Sequence, residues 1–344
     1  MDNDYDDTNR AFLQAFMGRS SMNFEEIQPI LAAILSIRED REIDPDDITE
    51  EHLTSYVAAA NTAISQFDFE IRSSLRQTSK RNDEENTESA PTRVYALVNT
   101  TSDSLTQLAT SYSADEIAFL KRVLDYMFET NNTRLCEGMV ITPMQAVNLR
   151  TATEANRRRS TMTETQPAQG GAANNLSLTQ AETMMKQLVE EGWFEKSEKS
   201  YFSLTPRGLM ELRGWLVAEY NDDESDGRRA DRIKFCAACK DIITVGQRCG
   251  DRDCPGRLHD HCMRNFFRIH RAEKCPVCKQ DWPGDKYVGE RAVRAMNRKR
   301  TSDARQSIRS PMVIRGLDGN EDEDGTGDEE VGSGEEAGGD EEEG

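Results

Sequence analysis

"CAACKDIITVGQRCGDRDCPGRLHDHCMRNFFRIHRAEKCPVC" runs from Cys236 to Cys278 and holds seven of the chain's eight cysteines. Its cysteines and one histidine follow the pattern C-x2-C-x9-C-x4-C-x4-H-x2-C-x12-C-x2-C. Two residues between ligands let both side chains reach one ion from a tight turn, and a tetrahedral zinc takes four such ligands. Eight ligands therefore predict two Zn2+ ions. Two histidines compete for the fifth position. His259 stands two residues before Cys262, the spacing of the flanking cysteine pairs, whereas His261 is adjacent to Cys262 and adjacent side chains point apart. His259 is the expected ligand, and His261 a surface or supporting residue. Cys136, far from the cluster, reads as an ordinary buried thiol.

Two kinds of two-zinc module fit eight ligands. One is a RING, which docks a ubiquitin-conjugating enzyme; the other is a PHD finger, which reads histone tails. The C-x4-C-x4-H spacing leans towards the PHD finger, but Glu273 stands where such fingers usually carry an aromatic. "CPVCKQDW", with Pro276 between the last ligands and Trp282 just after, is closer to a RING. Lys279 follows the last ligand, where many RING ligases keep a basic residue that contacts ubiquitin. Ala238 is smaller than the aliphatic residue usual before the second ligand, and no Trp lies between Cys262 and Cys275. In the cross-braced arrangement of a RING variant, Cys236, Cys239, His259 and Cys262 would hold the first ion, and Cys249, Cys254, Cys275 and Cys278 the second. In "MRNFFRIH", Met263, Phe266 and Phe267 form an apolar face that His270 closes.

Outside the cluster, the net charge of −20 is concentrated at one end. Leu317 to Gly344 carries fourteen acidic residues and no basic one, and removing them takes the net charge from −20 to −6. Such a Gly-rich acidic stretch buries too little apolar surface to fold. "RAVRAMNRKR" (291–300) is basic and reads as a solvated face, or as a nuclear-import or nucleic-acid patch. The opening "MDNDYDD" lacks a signal peptide's basic segment and apolar run. The longest apolar run, "ILAAIL", falls far short of the ~20 residues of a membrane span. These features predict a soluble intracellular protein, where clustered cysteines bind metal rather than form disulfides.

The rest divides into helical periodicity and short strand patterns. Residues 1–150 read as a first winged helix with an N-terminal helix. In it, Ile27, Ile30, Leu31, Ile34 and Leu35 recur at helical spacing, Pro29 is expected near the first turn, and "FDFEIR" and "RVYALV" read as strands. "SADEIAFLKRVLDYMFET" closes the block, with Ser113 and Glu116 as a capping box. Phe12, Leu13, Phe16 and Met17 form a further apolar stripe, of the kind that more often packs into its own domain's core but is also a candidate interface for a partner. Residues 151–175 lack periodicity and read as a linker. Residues 176–222 read as a second winged helix, with Thr179 and Glu182 capping its first helix, Gly192 ending it and Pro206 starting another. Its recognition-like helix carries only Lys186 as a base, which favours protein docking over DNA binding. The zinc module is expected at 232–285, and 286–344 as a disordered basic then acidic tail. The fold class is multidomain α+β.

Two winged helices followed by a seven-Cys, one-His RING variant resemble the family of non-SMC element one, the RING subunit of the SMC five/six chromosome-maintenance complex. The resemblance rests on "RAFLQAFMGRSSMNFEEIQPIL", "GWFEKSEKSYFSLTPRGLMELRGWL" and the cysteine-rich stretch, and covers about residues 10–290. The insert near 78–92, the 151–175 stretch and the acidic tail depart from the family pattern. The resemblance implies a nuclear protein of DNA repair and recombination. It implies as partners a MAGE-type winged-helix subunit and, through it, a kleisin and the SMC heads. It also implies a ubiquitin-conjugating enzyme as partner, with ligase activity that needs the MAGE partner. DNA contact stays open, and the alternatives are a non-catalytic zinc-containing interaction subunit of that complex or a PHD-like histone reader.

Overall fold

The computed structural model describes residues 5–78, 91–100, 111–151, 175–221 and 231–309. The acidic tail from 317 and most of the 78–92 and 151–175 stretches lie outside these residues.

The first domain starts with helix α1 (Asp7–Arg19), capped by the Asp6 carboxylate, which accepts from the Thr8 and Asn9 amides. A short strand β1 (Ser21–Asn23) leads into α2 (Phe24–Glu39), where Asn23 and Glu26 form a reciprocal capping box. Pro29 lies early in the second turn of α2, near the helix start as expected, because the box starts the helix at Phe24. Helix α3 (Glu50–Ile64), capped by Thr49, precedes strands β2 (Phe69–Leu75) and β3 (Arg93–Asn99). The sheet order β1-β3-β2 completes a winged helix. Its core is Phe12, Phe16, Ile27, Leu31, Leu35, Leu53, Tyr56 and Ile71 with their neighbours. Of the two readings of the α1 stripe, core and partner interface, the packing gives core for Phe12 and Phe16 and overturns the interface for them. Phe12 and Phe16 are fully buried, edge to face at 5.2 Å, and only Met17 of that stripe is strongly exposed, at 68%. A helix packs its wide face on its own domain first, because burying a Phe stabilises by roughly 1.5–3 kcal/mol.

The second domain repeats the same order. Helix α4 (Ala114–Asp125) carries the Ser113/Glu116 capping box, α5 (Pro143–Asn148) follows, and then α6 (Leu178–Glu190). Strands β4 (Phe194–Lys196) and β5 (Phe202–Leu204) form the wing. Ile141 pairs with Phe202 through both backbone hydrogen bonds, so it stands where β1 stands in the first domain. Helices α7 (Pro206–Glu211) and α8 (Arg213–Tyr220) close the domain. One core joins Phe119, Leu120, Leu124 and Phe128 to Met184, Met185, Leu188 and Leu216.

This core moves the expected boundary at residue 150. The capping-box helix at 114–125 belongs to the second winged helix, and the 151–175 stretch is an insert between α5 and α6 rather than a linker between domains. The caps shift too: α6 begins with Ser177 and Gln180, two residues before the expected pair, while Gly192 does sit at its end with φ +78°.

The third region holds strands β6 (Gly246–Arg248), β7 (Arg257–Leu258) and β8 (Tyr287–Val288) in the order β7-β6-β8, with α9 (Asp260–His270) after β7. Helix α10 (Glu290–Arg309) follows. Order therefore continues past 286, where a disordered tail was expected to begin. Val288 is fully buried, Gly289 turns the chain at φ +86°, and the Arg291 guanidinium meets the buried Asp260 at 2.6 Å. Among the described residues no helix is long and apolar enough to cross a membrane.

Candidate metal centres

The first and last cysteine pairs are built alike. At the first, the Cys236 amide donates to Asp241 O, the Lys240 amide donates back to Cys236 O, and Phe235 bridges Ile242. At the last, the Cys275 amide donates to Gln280 O, the Lys279 amide donates to Cys275 O, and Lys274 bridges Asp281. Each turn is closed by a lysine in the left-handed region, Lys240 at φ 66° and Lys279 at φ 64°. Each lysine amine folds back onto the carbonyl between the cysteines, Lys240 to Ala237 O and Lys279 to Pro276 O, both at 2.8 Å. The C-x2-C spacing is thus one turn that aims two sulfurs to the same side.

The eight predicted ligands gather into two groups. Cys236, Cys239, His259 and Cys262 form one; Cys249, Cys254, Cys275 and Cys278 form the other. Within each, the ligand atoms lie within 4.8 Å of one another, and each group could hold a metal ion. The groups interleave along the chain, which is the cross-brace. Cys249 and Cys278 sulfurs are 3.5 Å apart, as are those of Cys254 and Cys275. Tetrahedral thiolates around zinc stand roughly 3.8 Å apart, so the spacing fits such an ion closely. Gly256 is required beside the second group, where an added Cβ would fall 2.4 Å from the Cys275 sulfur.

His259, not His261, is in the first group. Its Nδ1 is 3.3 Å from the Cys239 sulfur and 4.0 Å from that of Cys262. Its Nε2 faces Ile242 O at 3.3 Å, and a carbonyl only accepts, so the proton sits on Nε2 and Nδ1 is left for the group. Burial opposes charge on His259, but the Cys236 and Cys239 sulfurs outweigh it and push its pKa up to about 9. Hydrogen bonds from Cys239 and Cys262 pull the Cys236 thiol strongly down. A thiolate beside an imidazolium is the charge pattern that a divalent cation replaces by displacing protons. His261 stacks on His259 at 4.9 Å, and its Nδ1 is buried with no hydrogen-bond partner among the described residues. In the four-cysteine group, burial pushes Cys249 up to about 12, while the Gln280 backbone amide brings Cys278 down to about 7.

Around the groups, Phe267 and Trp282 meet edge to face at 5.8 Å, and the Trp282 indole donates to Gln247 at 3.0 Å. Trp282 is thus part of the module's core. His270 stacks on Phe266 at 4.1 Å and remains exposed. Lys279, Ala238 and Val277 are exposed at the tips of the two cysteine turns.

The pattern of cysteines and histidines misses one set of residues. Glu137, in the second winged helix, is 2% exposed and surrounded by Lys234, Arg248 and Arg257 at 2.5, 3.3 and 2.5 Å. Burial disfavours its charge, but the Arg257 hydrogen bonds and the three cations prevail and hold its pKa down to about 2. Gln77, next to β2, bonds the Ile242 carbonyl and the Thr244 and Val245 amides. Neither residue carries a local signal, since each partner lies 97 or more positions away.

Residues 9–212 match the model of the "Nse1 non-SMC component of SMC5-6 complex" family, and residues 236–278 match a "RING-like domain" model. The chain is 21% identical over 279 residues to the rat "Non-structural maintenance of chromosomes element 1 homolog", covering 81% of this chain and 85% of the relative. The human homologue is 20% identical over 277 residues, covering 80% and 84%. The protein "Non-structural maintenance of chromosomes element 1" of Saccharomyces cerevisiae is 24% identical over 213 residues, covering 54% and 58%. A chain of a solved "Nse1-Nse3-Nse4 complex" superposes with a TM-score of 0.57 at 20% identity, covering 82% of this chain and 99% of that one.

Proposed function

The chain belongs to the Nse1 family, the non-SMC component of the SMC5-6 complex, and on that premise we propose that it is the RING-type ubiquitin ligase subunit of such a complex. Its two ligand groups hold structural zinc, since sets of four thiolates, or three with an imidazole, suit that ion. The observation that carries the reading is the interleaved pair of groups inside the RING-like stretch, with Val277 exposed at the tip of the second cysteine turn. The tips of the two cysteine turns form the surface that docks a charged conjugating enzyme. The ligase has no nucleophile of its own and acts by holding the thioester in a reactive orientation. Lys279 would contact ubiquitin from the same edge.

The partners we propose are a MAGE-type winged-helix subunit, as in the Nse1-Nse3-Nse4 assembly that gave the superposed chain, and through it a kleisin and the SMC heads. Exposed Met17 on α1 is the docking residue we assign to that contact. The cellular setting is the nucleus, in DNA repair and recombination. A second reading, a docking module without ligase activity, is favoured by Ala238, whose methyl offers little to grip an enzyme.

A ubiquitin-chain assay of the purified chain, with and without the MAGE-type partner and across a panel of conjugating enzymes, separates the readings. Chains that form with the partner and are lost in Val277→Arg support the ligase. Absence of chains under every condition, with both zinc ions bound, leaves the docking module.

A further inference from the structure

Arg257 is fully buried and stands between the two ligand groups. Its backbone carbonyl accepts from the Ala237 amide, inside the first cysteine turn. Its Nη1 donates to Cys254 O at 2.7 Å and Gly256 O at 2.8 Å, gripping the loop that carries Cys254. Gly256 O also accepts from the Cys249 amide at 2.9 Å, so the same carbonyls hold two ligands of the four-cysteine group. The remaining donors of Arg257, Nε and Nη2, make a two-pronged pair with the Glu137 carboxylate at 2.7 and 2.5 Å. Glu137 is itself fixed. Its carbonyl accepts from the Gly289 amide at 2.7 Å, and a Cβ on the adjacent Gly138 would fall 2.6 Å from Val293 of α10.

From this geometry we infer that Glu137 of the second winged helix is a positioning residue of the four-cysteine metal centre, acting through Arg257 on the loop that presents Cys254. The inference rests on the zinc reading above. Fork-to-fork pairing fixes the plane of the guanidinium, which a lysine ammonium cannot reproduce. With Glu137 gone, Nε and Nη2 lose the partners that fix the guanidinium plane, and only the two Nη1 bonds are left to hold the buried arginine on the loop. Outer partners of metal ligands typically contribute about 10- to 100-fold in metal affinity.

The test uses the full chain loaded with Co2+, whose absorption bands distinguish a four-thiolate site from one with three thiolates and an imidazole, followed by release to a chelator. Glu137→Gln should speed release from the four-cysteine centre by about tenfold or more and leave the histidine-containing centre near its original rate. Arg257→Lys, which keeps the charge beside Glu137 and loses the grip on the carbonyls, should do the same. Arg134→Ala removes an exposed pair with Asp253 between the same two regions and should change neither rate. Unchanged release in Glu137→Gln or in Arg257→Lys, or equal loosening of both centres, overturns the inference; if Glu137→Gln does not fold, Glu137→Asp, whose shorter carboxylate cannot meet both guanidinium nitrogens in the same place, takes its place in the test. A wild-type chain that takes no ion into the four-cysteine centre defeats the zinc reading, and this inference falls with it.

Discussion

His259 and His261 are two positions apart, yet their roles are set by what each ring nitrogen can reach. His259 turns Nδ1 to the sulfurs because Ile242 O takes the proton on its other nitrogen. Structural zinc contributes on the order of 10–16 kcal/mol to folding of small modules, far more than any single packed side chain. His259→Ala should therefore cost one ion per chain by elemental analysis and unfold the module locally. His261→Ala should keep two ions, since it removes a stacked ring and no ligand. The reverse result would exchange their roles. Glu137 gives a pH prediction. Its folded pKa of about 2 lies below the ordinary 4.5, so its ionised form stabilises the fold above about pH 4.5 and that contribution fades as pH falls towards 2. The shift corresponds to about 3 kcal/mol. The stability difference between the wild type and Glu137→Gln, from urea unfolding, should be of that order at pH 6 and shrink across this window. A difference flat with pH would mean that shape, not charge, holds the clamp.

Helix α4 shows what periodicity can and cannot tell. Its capping box and apolar face were plain in the sequence, because both are local. Its partner was not, because an amphipathic face does not say which other face it meets. The wing that completes its domain comes only after the 151–175 stretch, so proximity along the chain favoured the wrong neighbour. The ligand spacings were legible for the opposite reason: a C-x2-C turn encodes its geometry within itself. The core that α4 shares with α6 and α8 predicts how fragments behave. Residues 1–100 should fold alone as a winged helix with a sharp thermal transition. A fragment ending at 150 should aggregate, because Phe119, Leu120, Val123 and Phe128 would then face water. If the longer fragment melts cooperatively as a monomer, the boundary belongs at 150 after all. The α1 face divides in the same way. Phe16→Glu should abolish the first domain's transition, since a charge in a sealed core has no partner. Met17→Glu, at an exposed position, should leave the melting temperature within about 2 °C, as surface changes stay near ±0.5 kcal/mol. In a pull-down it should weaken the MAGE-type partner's binding, and full binding would remove Met17 from that contact.

Ile233, Ile242, Ile243 and Val288 come from the region of the two ligand groups, yet they sit in the same core as α4, α6 and α8. The first winged helix keeps a separate core. Stability should divide along that line, with the metal on the side of the second domain. Ile242 makes the coupling direct, since its carbonyl orients His259 while its side chain packs into that shared core. Stripping both ions with a chelator should therefore release Ile242 and Ile243, loosen the Glu137 clamp, and lower protection in the second winged helix as well. Hydrogen exchange reads this directly, because amides open in cooperative units. On chelation the amides of α4 and α6 should exchange at least about tenfold faster, matching a loss of about 1.4 kcal/mol or more, while those of α2 and α3 keep their protection. Faster exchange confined to residues 236–278 would show a metal module that hangs from the rest as an independent bead. Loss across α2 and α3 as well would show that the Gln77 bonds to Thr244 and Val245 tie the first domain into the same unit.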